Sequence, residues 1–171
     1  MARYVAFLRG VSPMNLKMSD LKRCLEVAGF SDVKTILSSG NAAFDSTTRS
    51  AHALERGIEA ALTKQLGRTS YTVVRSRAAL DKMIASGPFA PFALPAGAKR
   101  VVTFARKLTH ARLNLPVERD GAIILAAGER EAFSAYVVSP RGPVFMELIK
   151  ATFGSDVTTR TWDTVKKCVQ A

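Results

Sequence analysis

The chain has 171 residues, 47% of them hydrophobic and 23% charged, and its 25 Lys and Arg against 14 Asp and Glu leave a net charge of +11. That composition excludes a disordered chain, and two cysteines exclude a disulfide-rich scaffold. The charge is spread, +6 before Ser86 and +5 after it, so it belongs to the fold rather than to a basic tail and favours acidic small molecules or polyanions as partners.

Residues 4–9 (YVAFLR) are almost continuously apolar, which predicts a strand buried on both faces. Ser19 is placed to cap a helix that runs to Phe30, with Gly29 as its stop. Residues 33–37 (VKTIL) and 41–45 (NAAFD) read as two strands joined by Ser38, Ser39 and Gly40, a three-residue hairpin with glycine in the left-handed position. Leu54, Ile58, Ala61, Leu62 and Leu66 recur at helical spacing and Gly67 ends that helix; residues 70–76 (SYTVVRS) follow as a strand. The order β-α-β-β-α-β is the split pattern of ferredoxin-like domains.

Ser76 opens a short helix through Ala85, and the Pro/Gly-rich stretch 87–97 (GPFAPFALPAG) marks a boundary. Beyond it the spacing predicts a strand over 100–106, a helical turn over 109–113, and a hairpin of 121–127 and 131–139 around residues 128–130. Pro143 suits a first helical residue, and the helix carrying Phe145, Leu148, Ile149 and Phe153 ends at Gly154. A strand over 156–160 and a helix over 162–170 close the chain. The expected fold is therefore α+β, with two ferredoxin-like βαββαβ halves packed into one compact body: residues 1–86, a connection at 87–98, and residues 99–171 with the closing helix.

Four polar corners invite functional readings, each beside a purely structural one. Arg9, Asn15 and Lys17 surround a strand-to-helix junction whose free amides attract anions, although no GxGxxG or Walker-type GK[ST] is present; the plain alternative is a solvated loop. Ser39 and Asn41 lie in the hairpin, where a simple turn accounts for them equally well. Pro140-Arg141-Gly142-Pro143 mirrors the first corner, or is only a helix entry. In residues 158–167 (TTRTWDTVKK), Thr161 is a good N-cap, Arg160 flanks the single tryptophan, and Trp162 is either a core plug or a stacking surface. His52 and His110 have no carboxylate spacing around them, so neither a metal site nor a Ser-His-Asp arrangement has support, and nothing calls for a cofactor. Cys24 and Cys168 fall on apolar faces as small hydrophobes. The apolar run in MARYVAFLRG is too short for a signal peptide and no stretch reaches membrane-spanning length, so a soluble cytoplasmic protein is expected.

FLRGV, LKMSDL, AGFSDVKTILSSGNAAF and TRTWDTV, in that order, resemble the family called domain of unknown function 1697, over essentially the whole chain. Most members carry Asn-Val-Gly-Gly in the first loop, where this chain has Ser12-Pro13-Met14-Asn15. The resemblance implies an α+β fold of ferredoxin-like units and implies no activity. Its motif positions include Arg9, Gly10, Lys17, Ser39, Gly40, Asn41, Arg160, Trp162 and Thr164. Glycines 10 and 40 have backbone reasons, whereas Lys17, Asn41 and Arg160 do not, and such polar residues point to a site. Three functions are weighed: a binding module for an anionic small molecule, nucleotide-like, or for nucleic acid, through Arg9, Asn15, Lys17, Ser39, Asn41 and Arg160; a structural or protein-interaction unit such as a homodimer; and a small enzyme on a phosphate or carboxylate substrate. The third strand lacks the aromatics with which RNA-recognition sheets stack on bases, and no base for catalysis is evident. The anion-binding module ranks first.

Overall fold

A computed structural model describes residues 1–108 and 114–171, and in it the chain forms two antiparallel sheets and five helices. Two units result, Met1–Ala85 with Asp163–Ala171, and Ser86–Trp162.

The first unit runs β1 (Ala2–Leu8), α1 (Met18–Val27), β2 (Ser31–Ile36), β3 (Asn41–Ser46), α2 (Ala51–Leu66), β4 (Thr72–Ser76) and α3 (Arg77–Ala85). Its sheet has the order β2-β3-β1-β4 with every neighbour antiparallel. Alternation along β1 sends Tyr4, Ala6 and Leu8 into a core with Leu21 and Leu25 of α1 and Leu54, Ile58 and Leu62 of α2. Val5 and Phe7 on the opposite face are buried as well, which is why the strand reads as a continuous apolar run. Phe44 sits at the centre of this core, its ring centroid 5.9 Å from Tyr4 and 4.7 Å from Phe30. The outer edge of β4 is closed by α2: Glu59 Oε1 accepts from Thr72 N at 3.1 Å and Glu55 Oε1 from Val74 N at 3.0 Å. One helical turn separates the two glutamates, which matches the two-residue repeat of outward amides on an edge strand.

Two local expectations change. Helix α1 begins one residue before Ser19, with Lys17 in the N-cap position and no side chain capping it. The hairpin loop has four residues rather than three, because Ile36 pairs with Asn41 and Leu37 joins Gly40 in taking a positive φ, +56° and +83°.

The second unit runs β5 (Lys99–Phe104), β6 (Val117–Arg119), β7 (Ala122–Ala127), β8 (Glu131–Tyr136), α4 (Val144–Phe153) and β9 (Thr158–Thr161), with sheet order β6-β7-β8-β5-β9. The inner order β7-β8-β5-β9 repeats that of the first sheet, but the unit departs from βαββαβ: a fifth strand, β6, extends the hairpin edge. The helical turn expected over 109–113 lies outside the described residues. One face of the sheet, with Val101, Ala122, Ile124 and Ala132, packs under Phe145, Leu148 and Ile149 of α4. Pro143 is the N-cap of that helix rather than its first residue. Helix α5 (Trp162–Gln170) follows β9 directly, and from Asp163 onward it groups with the first unit, whereas the sequence reading places it with the second half. Arg3 shows how: its Nε donates to the Ala171 carbonyl at 3.2 Å while NH1 bridges Asp32 and Asp45 at 3.1 and 3.2 Å.

Candidate functional site

Three segments meet at one rim of the first unit. The sheet order brings the end of β1 between the start of β3 and the start of β4. Leu8 N donates to Gly40 O at 2.9 Å on one side; on the other, Arg9 N donates to Tyr71 O and Ser70 Oγ donates to Arg9 O, both at 2.8 Å. Arg9 is thus pinned through its backbone between two loops while its side chain is exposed.

The loop from Gly10 to Lys17 is closed by its own asparagine. Asn15 Oδ1 accepts from Ser12 N at 3.0 Å, and Asn15 Nδ2 donates to Gly10 O at 2.8 Å. Gly10 takes φ +71°, a conformation that a Cβ would penalise. Arg68, just past α2, reaches back and donates through NH1 to Asn15 O at 3.0 Å. Lys17 stands exposed at the N-cap of α1. The first amides of a helix have no carbonyl one turn back, so this end carries partial positive charge.

Asn41 is fully buried, and its Nδ2 donates to Ile36 O at 2.9 Å and to Ser39 Oγ at 3.0 Å. Its carboxamide ties the hairpin loop together. That loop presses on the neighbouring one: a Cβ at Gly40 would lie 2.8 Å from Val11 Cβ and 3.1 Å from Leu8 Cβ.

Of the residues singled out in the sequence, the rim therefore gathers Arg9, Asn15, Lys17, Ser39 and Asn41. Arg160 belongs to the second unit, where it is buried in β9 and its NH1 donates to Thr158 Oγ1 and Thr159 O, both at 2.7 Å. Trp162 is buried too, edge-on to Phe89 with centroids 5.0 Å apart, and Phe89 in turn meets Phe133 edge-on at 5.7 Å. It is a packing residue of the second unit rather than an open stacking surface. Sequence reasoning missed Arg68. The available signal was topological: in β-α-β-β-α-β order the fourth strand starts beside the end of the first, so the residues after Gly67 had to lie next to Arg9.

No helix among the described residues is long and apolar enough to cross a membrane. No curated protein sequence matches this chain. Among solved structures it is similar to the conserved bacterial protein SP0830 from Streptococcus pneumoniae, with a TM-score of 0.74 and 18% identity over 99% of this chain and 97% of that one. At that identity the likeness concerns the fold alone. A family model described as "Protein of unknown function (DUF1697)" matches residues 1–133. The match includes all three segments of the rim and ends before Arg160, Trp162 and Thr164. On this match across more than three quarters of its length, the chain belongs to the DUF1697 family of proteins of unknown function.

Proposed function

We propose that the protein is a binding module for a phosphate-bearing ligand, a nucleotide or a nucleic-acid strand, held at the rim of the first unit. One observation carries this reading. Arg9, Lys17 and Arg68 come from three segments that meet there, and residues 8–17, 37–41 and 67–71 contain no acidic residue. These cations outnumber Asp20, the acidic residue in the first turn of the uncapped helix beside them, and an anion is their natural complement. Asn15, Ser39 and Asn41 serve this site by holding the loops that carry the cations. Arg160 is left out of the set. The absence of histidine and of paired carboxylates from the three segments favours binding over catalysis. We also read the first unit as ferredoxin-like, on its strand order β2-β3-β1-β4 with helices after β1 and β3.

The test is titration of single-stranded DNA, RNA and a nucleotide panel, by anisotropy or calorimetry, at low and moderate salt. A strand contacting several phosphates binds with a steep salt dependence, to which each contacting cation contributes a log-log slope of about 1, whereas a small nucleotide shows a shallow one. Arg9→Ala and Lys17→Ala should each weaken binding, and Arg56→Ala, on the exposed side of α2, should not. Equal losses from all three would mean diffuse attraction to a basic protein and would end the proposal.

A further inference from the structure

The second unit holds a cavity of about 360 Å³, roofed by the first turn of α4 and the 137–143 segment and floored by the sheet face of Val101, Ala122 and Tyr136. Its walls are mostly apolar, with Asp120, Ser139, Thr159, Arg160 and Thr161 as the polar part of the lining. Tyr136 stacks on Phe145 with centroids 4.7 Å apart at 14°, which sets a flat aromatic surface along one side. The rim stays apolar where it meets solvent: Val137, Val138 and Met146 all line the cavity and are 42%, 69% and 48% exposed. Large apolar side chains left in water around a concave, apolar pocket of this size are the usual marks of a small-molecule site.

The polar end of the cavity is as distinctive. Pro143, the N-cap of α4, has no amide and makes no side-chain cap. Val144 N turns back to Gly142 O and Glu147 N bonds to Pro143 O; the amides between them, on Phe145 and Met146, belong to the first turn of α4, whose amides face out of the helix end. Arg141 is three-quarters exposed and brings NH1 to 3.5 Å from Oδ1 of Asp120, a residue of the cavity lining. The arginine offsets that carboxylate; Glu147, in the first turn of α4, lies outside the lining, whereas Arg160 is part of it and leaves the balance at the cavity positive. Behind the floor, Thr103 pairs with Thr159 and Ser134 with Val101, which places both hydroxyls on the same sheet face as the cavity floor. They are fully buried and have no hydrogen-bond partner. Neither hydroxyl lines the cavity, so they belong to the packed sheet face and not to the site.

We infer that this cavity is a second, independent binding site, for a small monocarboxylate with a ring or short apolar chain. The carboxylate meets the α4 amino end beside Arg141, and the apolar body lies against Tyr136, Phe145 and Met146. The site shares no residue with the rim of the first unit, so either can fail without the other.

Calorimetry with 4-phenylbutyrate, and with 4-phenylbutanol as the neutral control, tests the inference on the whole protein. Amide NMR shifts are followed in parallel. The carboxylate should bind at least about tenfold more tightly than the alcohol, because only the carboxylate uses the charge-assisted donors. The amides of Phe145 and Met146 should move most. Arg141→Ala should weaken the carboxylate several-fold and Asp120→Asn should tighten it, while Arg9→Ala in the first unit leaves it unchanged. Arg141 and Asp120 are largely solvent-exposed, so neither change threatens folding. The inference is overturned if the alcohol binds as well as the carboxylate, or if the two amides stay still at saturating ligand. It is also overturned if Asp120→Asn weakens binding or Arg9→Ala costs as much as Arg141→Ala.

Discussion

The close approach of the hairpin loop to the loop after β1 makes Gly40→Ala the most informative single change in the first unit. Gly40 has φ +83°, and a non-glycine residue in the left-handed region costs about 1–2 kcal/mol. A methyl group there would also lie 2.8 Å from Val11 Cβ and 3.1 Å from Leu8 Cβ. Both are Cβ atoms of buried residues, fixed by their own backbone, so no rotamer change relieves the contact and one loop must shift. Forcing an extra carbon into a packed site typically costs about 1–3 kcal/mol, which brings the total to roughly 2–5 kcal/mol. Gly67→Ala separates the two parts. Its φ is +62° and nothing lies within 4 Å, so it carries only the backbone term, partly offset by the lower entropy of the unfolded chain. Urea unfolding of both variants should therefore place Gly40→Ala about 1–3 kcal/mol below Gly67→Ala. Because the displaced loops carry Arg9 and Asn41, Gly40→Ala should also weaken any ligand held at the rim. Equal stabilities for the two variants would refute the tight loop-on-loop packing on which that site depends.

Truncating Trp162 to alanine removes a buried ring that meets Phe89 edge-on, and should cost about 3–5 kcal/mol by thermal or urea unfolding. Glu55→Ala strips the acceptor from the buried Val74 amide, for a loss of about 1–3 kcal/mol, and Glu55→Gln, which keeps an acceptor, should lose less; hydrogen exchange at Val74 reports the difference. Burial raises the Cys24 thiol pKa above its ordinary 9.0, so above that pH the unfolded chain releases its proton first and stability falls with rising pH. The urea midpoint should therefore drop more between pH 8 and pH 10 in the parent than in Cys24→Ala, and parallel pH profiles would argue against a buried thiol.

Local physics determined much of this protein from its residues alone. The spacing of Leu54, Ile58, Ala61 and Leu62, stopped by Gly67, specifies α2 because helical periodicity and a left-handed glycine both act within a few residues. The same holds for β1, for the β7–β8 hairpin and for α4, whose apolar patterns match their burial. The short edge strand β6 has only three residues and no readable period, and it exists because β7 offers it a partner. Leu37 adopts a positive φ that no local preference predicts, in a loop tied shut by the bonds of Asn41 to Ile36 and Ser39. The sharpest limit concerns the cations. Composition makes Arg3, Arg9, Arg68 and Arg160 alike, and the polar corners and motif positions single out Arg9 and Arg160 alone. Tertiary structure gave Arg3 to the carbonyl of Ala171, 168 residues away, tied Arg68 to a loop 53 residues away, and buried Arg160 among its neighbours in β9. A guanidinium's role depends on which carbonyls and carboxylates the chain's long-range pairing brings within about 3 Å of it, and that distance is set only when the sheet is assembled.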